Sequence, residues 1–233
     1  MAETKGKSRF LFPRWANYML PAGAVGAGGG LLYMVILFTF GASPKTMAVG
    51  YAPTQPVPYS HALHVGKLGL DCRYCHNTVE KTAFAALPAT QTCMNCHTNI
   101  RPESSILQPV RDSWATGKPV PWVKVHDLPD YTYFNHSAHV SHGVGCVECH
   151  GRIDQMEVVH QAQPLSMGWC LDCHRNPAPH LRPKDVPPTD MHYSNVDPVT
   201  GADLMTPQQR QQLMADYKIH DYAYMQSCYT CHR

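Results

Sequence analysis

The amino-terminal part of the chain contains a long run without any charged residue. The run extends over 18–40 and reads YMLPAGAVGAGGGLLYMVILFTF. At 1.5 Å of rise per residue, about 23 helical residues span about 34 Å, which is enough to cross a bilayer. The pattern therefore predicts one membrane-spanning helix over 18–40, with a basic cytoplasmic segment over 1–17 before it.

The charges before this run predict its orientation. Four basic residues precede it: Lys5, Lys7, Arg9 and Arg14. Lys and Arg are enriched on the cytoplasmic side of membrane helices, so we expect a cytoplasmic amino terminus and an extracytoplasmic remainder. A cleaved signal peptide would look similar. Pro44 directly after Ser43, the best position for a cut, disfavours cleavage and favours a retained single-pass anchor in a bacterial inner membrane.

Small residues recur every four positions along this run, at Ala22, Gly26 and Gly30. They fall on one helix face, where small side chains let two membrane helices approach closely. Small residues are also common in membrane helices generally. The stripe is therefore compatible either with docking against a partner's membrane helices or with ordinary composition.

After the run, regular secondary structure is expected to be sparse. The chain contains 20 prolines, with clusters in 52–58 (APTQPVP) and 177–188 (PAPHLRPKDVPP). The best further helix is 206–217, which begins with a threonine N-cap and a proline at the first helical position. We expect a linker over 41–56 and a periplasmic domain over 57–233.

All ten cysteines fall in five copies of the pentapeptide C-x-x-C-H, numbered motifs 1 to 5 in chain order. Two thiols at this spacing add across the vinyl groups of one porphyrin, and the next imidazole becomes the proximal iron ligand. The sequence therefore predicts five covalently bound c-type haems. The attachment residues are Cys72, Cys75, Cys93, Cys96, Cys146, Cys149, Cys170, Cys173, Cys228 and Cys231, and the proximal ligands are His76, His97, His150, His174 and His232.

Other uses of cysteine pairs fit less well. A zinc ribbon needs an even number of cysteine pairs, and it does not require a histidine directly after each pair. A thioredoxin-like site needs one pair within a βαβ unit. A disulfide scaffold would not keep a single spacing throughout.

The motifs belong to a duplicated block. His61-x-x-His64 precedes motifs 1 and 2, and His136-x-x-His139 precedes motifs 3 and 4, at offsets of 74 to 77 positions. The blocks cover 61–97 and 136–174, and motif 5 stands apart at 228–232. A repeat at a fixed offset indicates one structural unit used twice. The predicted fold is a mostly irregular and α-helical multihaem cytochrome, with short helices, little sheet and a core built by porphyrins.

Ten histidines lie outside the motifs and supply candidates for the second axial ligand. The repeat favours His61, His64, His136 and His139. Histidines three positions apart on a helix point outward near each other and suit two adjacent haems. His126 is the fifth candidate, in the apolar setting PWVKVHDLPD.

Several residues are alternatives to these five. His160 lies ten positions before Cys170, the same spacing as His136 to Cys146. Met156 and Met167 are thioether candidates that would raise one reduction potential, although methionine also serves for packing. The remaining four histidines are expected to be ordinary surface residues: His142, His180, His192 and His220.

The formal net charge of +2 gives no indication of nucleic-acid binding. Two propionates on each haem would make the loaded protein acidic and suited to basic partners.

Longer stretches carry a family resemblance. YFNHSAHVSHGVGCVECHGRIDQMEVV, LSMGWCLDCHRNP, PVPWVKVHDLPD and the terminal CYTCHR resemble the membrane-anchored pentahaem cytochrome c subunit of bacterial alternative complex III. The H-x-x-H layout is also similar to that of c7-type cytochromes. The resemblance implies integral membrane quinol-binding subunits and an iron–sulfur subunit of molybdoenzyme-like ancestry as partners. It also implies a monohaem cytochrome or soluble carrier as acceptor, and bis-histidine irons with one possible His/Met exception, for which Met156 is the first choice.

Three functions remain open. The first is an electron-transfer subunit of a quinol-oxidising complex, without a catalytic site of its own. The second is a stand-alone anchored quinol dehydrogenase that feeds periplasmic reductases. The third is a haem-based reductase of nitrogen or sulfur oxyanions, which generally shows an open iron and often a lysine-variant motif that this chain lacks. If every iron is six-coordinate, none binds substrate and the chain conducts electrons.

Overall fold

The structure is a computed structural model that describes residues 12–41 and 48–232. The chain divides into two units, Met1–Thr46 and Met47–Arg233. Most of the expected cytoplasmic segment 1–17, including Lys5, Lys7 and Arg9, lies outside the described residues, as does the 42–47 part of the expected linker with its Ser43–Pro44 pair.

The described part of the first unit is one continuous helical segment, Arg14–Gly41, of 28 residues. It begins with a 3₁₀ turn at Arg14–Tyr18, continues as α1 over Met19–Ile36 and ends in a π-helical turn at Leu37–Gly41. Its length and apolar composition are sufficient to cross a membrane, and a signal sequence would meet the same test. None of its residues is buried within the protein.

The second unit is helical and irregular, as predicted. Its described residues form no named strand and only two isolated bridges, Val144 with Leu181 and Val196 with Asp203. Short helices account for its regular structure. They are α2 (Cys72–Cys75), α3 (Thr90–His97), α4 (Gln108–Thr116), α5 (His136–Ser141), α6 (Cys146–His150), α7 (Met167–Arg175), α8 (Pro207–Asp216), α9 (Tyr222–Met225) and α10 (Cys228–Cys231).

The two cysteines of every motif lie on one of these short helices. Side-chain caps fix the start of two of them. The Asp71 carboxylate accepts the N–H of Arg73 at the start of α2, and the Ser166 hydroxyl accepts the N–H of Trp169 at the start of α7. Such caps satisfy backbone donors that a short helix leaves unpaired.

The helix predicted over 206–217 is present as α8. The Thr206 hydroxyl accepts the Gln209 N–H, the Gln209 side chain accepts the Thr206 N–H, and Pro207 occupies the first helical position. This reciprocal capping box stabilises the helix start. The helix buries Arg210 and Leu213.

The apolar core of the second unit is small. One cluster contains Val57, Met94 and Val110, and the other contains Leu181, Leu213 and Tyr217. Gly143 adopts φ of +93°, and a Cβ there would lie 2.5 Å from the Tyr217 ring, so the second cluster depends on glycine at this position. Two three-residue clusters bury little surface for a domain of this length, as expected where porphyrins complete the core.

Candidate haem-binding sites

Most of the motif histidines are held by a hydrogen bond from a ring nitrogen. Four of the five donate Nδ1–H to a main-chain carbonyl: His76 to Ala86 at 2.7 Å, His97 to Ile100 at 2.9 Å, His174 to Met225 at 2.8 Å and His232 to Tyr131 at 2.9 Å. A bond of this kind fixes the tautomer and the ring orientation of a metal-ligating histidine. It leaves Nε2 as the nitrogen that can bind iron.

His150 in motif 3 differs from the other four. Its Nδ1 is buried and has no hydrogen-bond partner among the described residues. Burial, followed by the nearby His126 and His136, lowers the pKa of His150 to about 3. The imidazole is therefore neutral at physiological pH, which is the state that binds a metal.

Three motif histidines face a histidine of the H-x-x-H pairs. The ring centroids are 6.3 Å apart for His64 and His97, 6.1 Å for His139 and His174, and 6.5 Å for His136 and His150. With metal–nitrogen bonds of about 2 Å, two imidazoles on opposite sides of one metal place their centroids about 6 Å apart. These separations fit bis-histidine iron.

His61 completes the pattern beside His76. Its Nδ1 is buried without a partner in the described part of the chain. Burial, and then the neighbouring His76 and His64, lower the pKa of His61 to about 4. The repeat therefore brings the first histidine of each pair to the first motif of its block and the second histidine to the second motif.

His126 lies beside motif 3. Its ring centroid is 4.5 Å from that of His150, with planes at 79°, which is too close for an iron between the two rings. Its Nε2 is buried and unpaired among the described residues. The Tyr131 ring lies beside His232, with 5.8 Å between the ring centroids. The structure thus brings four of the five favoured distal histidines to motif histidines as separate pairs.

The alternative ligand candidates differ in how far they are buried. Met156 is buried, and its carbonyl accepts the Ala62 N–H at 3.0 Å, so it lies beside the first H-x-x-H turn. Met167 is largely exposed at the start of α7. His160 is half-buried and close enough to His126 to help lower the pKa of that histidine, after burial and His136. Their roles as ligands stay predictions.

Two aromatic residues at matching repeat positions were not singled out from the sequence. Tyr59 stacks on His64 at 4.4 Å and meets His61 edge-on at 4.8 Å. Phe134 stacks on His139 at 4.5 Å and meets His136 edge-on at 4.7 Å. The sequence shows this feature as an aromatic residue two positions before each H-x-x-H, and each of these rings packs against both imidazoles of its pair.

Two further contacts involve histidines that were expected to be ordinary surface residues. His142 and His220 lie with ring centroids 6.5 Å apart. His180 Nδ1 pairs with the Glu148 carboxylate at 3.0 Å. Long-range contacts of this kind leave no periodic trace in a sequence.

Burial affects several of the motif thiols. It is the largest of the causes that raise the pKa of Cys146 to about 11, of Cys149 to about 12 and of Cys173 to about 11. No three His, Cys, Asp or Glu side chains among the described residues form a metal-binding group.

Comparison with known proteins agrees with the motifs. No model of a known protein family matches the sequence. Over 99 residues the chain is 36% identical to the "Menaquinone reductase, multiheme cytochrome c subunit" of Nitratidesulfovibrio vulgaris strain Hildenborough. The similarity is to a multihaem cytochrome c. The matched region is 41% of this chain and 45% of that relative, so the chain spans less than half of the relative's length.

The motifs and this similarity together indicate covalently bound c-type haems. A bound c-type haem supplies one-electron iron chemistry, while the protein sets its axial ligands and surroundings. The residues described above fit that group, because they place an imidazole at each motif and a second imidazole opposite three of these.

Proposed function

We propose that this chain is a membrane-anchored electron-transfer subunit of a quinol or quinone oxidoreductase complex and that it carries five c-type haems. The observation that carries the proposal is the pairing of motif histidines with the H-x-x-H histidines at centroid separations of 6.1 to 6.5 Å. A haem iron with an axial ligand on both faces has no free coordination position for a substrate, so it can only transfer electrons.

The proposed ligand set follows the repeat. The ten motif cysteines attach the haems, and the five motif histidines are the proximal ligands. His61, His64, His136 and His139 are the distal ligands of motifs 1, 2, 3 and 4 in that order. His126 is proposed as the fifth distal imidazole because its Nε2 is buried without a partner in the described structure, and it is assigned to no particular motif because its ring lies beside His150. Met156 and His160 are the alternatives for that position.

The proposed partners come from the resemblance to alternative complex III. In that arrangement an integral membrane subunit oxidises quinol, and an iron–sulfur subunit of molybdoenzyme-like ancestry receives the electrons. This chain then relays them to a periplasmic monohaem cytochrome or soluble carrier. Its own sequence has no cysteine outside the five motifs for an iron–sulfur cluster, so the relay depends on partners.

The opposite direction is a second candidate, and the named relative favours it. That protein is called a menaquinone reductase subunit, in which electrons end on the quinone. The same bis-histidine chain can carry electrons either way, since direction depends on the potentials of the partners. The two candidates share every residue assignment above.

The proposed location follows from the apolar helix Arg14–Gly41. With the basic residues before it kept inside, the amino terminus is cytoplasmic and the haem-bearing unit is periplasmic. Covalent attachment of c-type haem on the outer side would match this orientation.

The test is purification of the full chain from its native membrane in mild detergent. We expect haem-containing material that includes integral membrane subunits and an iron–sulfur subunit. Quinol with oxidised carrier, and reduced carrier with quinone, are then supplied in separate experiments. Haem reduction by quinol, followed by reduction of the carrier, supports the first direction, and formation of quinol from quinone with oxidation of the carrier supports the second. Recovery of this chain alone with full quinol activity would reject both in favour of the stand-alone dehydrogenase.

A further inference from the structure

We infer that the five motifs lie in space in the order 2, 1, 3, 4, 5, and that electrons enter and leave at motifs 2 and 5. The inference rests on the proposed function, because it assumes a haem at each motif. The order differs from the order along the chain, and four separate sets of contacts establish it.

Motifs 1 and 2 are neighbours, as are motifs 3 and 4. His61 and His64 lie one helical turn apart, and His64 faces His97 of motif 2. The Asn95 amide in motif 2 also donates to the Tyr74 hydroxyl in motif 1 at 3.2 Å.

The second block repeats this arrangement. His136 and His139 lie on α5 and face His150 and His174. Two imidazoles on one helical turn cannot serve distant irons, so each pair of motifs within a block is adjacent.

Motif 1 joins motif 3 across the two blocks. The Thr189 hydroxyl donates to Asp71, the cap of motif 1, at 3.4 Å, and the neighbouring Pro188 carbonyl accepts the Cys146 N–H at 2.9 Å. The backbones also approach closely nearby, because a Cβ on Gly66 would lie 2.4 Å from the Asp154 carbonyl oxygen. The first motif of one block is thus fixed against the first motif of the other.

Motif 4 joins motif 5 at the other end. His174 donates Nδ1–H to the Met225 carbonyl at 2.8 Å, and α7 packs against α9 just before motif 5. The Tyr133 N–H donates to the Cys231 carbonyl at 2.8 Å, and the next residue, Phe134, stacks on His139. One loop therefore contacts both motif 5 and the distal ligand of motif 4.

The exposure of the thiols identifies motifs 2 and 5 as the ends. Cys96 and Cys228 are exposed, and the other eight cysteines are partly buried. Ile100, just after motif 2, is 58% exposed, and Tyr229 within motif 5 is 83% exposed. Each electron taken from a reduced donor at one end leaves to an oxidised acceptor at the other, so the donor is oxidised and the acceptor reduced by one electron without transfer of atoms.

The direct test is a cryo-electron microscopy structure of the haem-loaded full chain, with each iron assigned by its two cysteines. We expect the four shortest iron–iron distances to be 2–1, 1–3, 3–4 and 4–5. A short 2–4 or 3–5 distance, or motif 2 inside the row, overturns the order. Five haems in another order would contradict only this inference, whereas empty motifs would contradict the proposed function.

A second test examines the two ends. In the loaded protein all native cysteines carry haem, so one introduced cysteine is the free thiol for a bulky label. We expect a label on Ile100→Cys to slow one half-reaction several-fold and a label on Tyr229→Cys to slow the other. Val199→Cys is the matched control, since Val199 is 91% exposed and lies outside every motif. Unchanged rates for both end variants, or equal slowing by the control, would overturn the assignment of the ends.

Discussion

The imidazoles of His139 and His174 face each other with 6.1 Å between ring centroids and 35° between ring planes. Each ring is held by a hydrogen bond at Nδ1. His139 donates Nδ1–H to the Asn135 carbonyl at 2.8 Å, and His174 donates Nδ1–H to the Met225 carbonyl. Each ring therefore directs its other nitrogen into the space between them. This is the arrangement expected of the two axial ligands of one iron.

Replacing one of these rings should change a single haem. We expect His139→Met to raise one of the five reduction potentials, because a thioether ligand stabilises ferrous iron relative to imidazole. A redox titration followed by visible absorption measures this. His142→Met is the matched control one turn further along the chain, and it should leave all potentials unchanged. Equal shifts in both variants would remove His139 from the ligand set.

His126 should be the distal ligand that the repeat does not supply. Its Nε2 is buried without a partner in the described part of the structure, and an iron would satisfy it. We expect His126→Ala to convert one haem from low spin to high spin in electron paramagnetic resonance spectra. His160→Ala and Met156→Leu serve as comparisons. If one of these variants gives the high-spin signal and His126→Ala does not, then His160 or Met156 is the distal ligand and His126 is not.

Leu181 should contribute strongly to the stability of the second apolar cluster. Its side chain is 1% exposed and packs with Leu213 and Tyr217. Leu181→Ala should lower the free energy of unfolding by about 2–5 kcal/mol, since it leaves a cavity. Leu204→Ala, at a residue 59% exposed, should change it by less than about 0.5 kcal/mol. Denaturant unfolding of the loaded protein measures both, and similar losses would contradict the assignment of this core.

The Asp203–Arg210 pair should add a pH-dependent contribution. Arg210 is buried on α8 and donates to Asp203 at 2.6 Å and 3.2 Å. These bonds are the main reason that the pKa of Asp203 is lowered on folding. A lowered folded pKa stabilises the protein above the unfolded value of about 3.9, and the contribution is lost as pH falls through the folded pKa.

Comparison with Asp203→Asn tests this contribution. The melting temperature of the variant should lie below that of the natural protein at pH 7. The difference should shrink below about pH 4, where the unfolded carboxyl begins to be protonated. A difference that stays constant down to pH 2 would show that charge on Asp203 is not its cause.

Local features of the fold were predictable from the sequence. The capping signal at Thr206–Pro207 predicts α8, the uncharged run predicts the helix within Arg14–Gly41, and the five motifs predict their short helices. Each depends on residues within a few positions of one another. The H-x-x-H repeat also indicated four distal histidines, because the repeat makes a long-range relation visible as two similar local patterns.

Relations between distant segments could not be predicted. The contact of His142 with His220, and that of His126 with His150, depend on how irregular loops fold back. Loops without periodicity leave no hydrophobic pattern from which such contacts follow. The spatial order of the motifs was hidden for the same reason, since Thr189 and Asp71 are 118 positions apart.

We expect a porphyrin to be attached through two thioether bonds at each of the five motifs. The decisive measurement is an intact-mass spectrum of the full chain, purified under denaturing conditions from cells that assemble c-type cytochromes. The expected mass is that of the polypeptide plus five haems, with no cysteine left to react with a thiol reagent. The bare polypeptide mass with ten reactive thiols would contradict it.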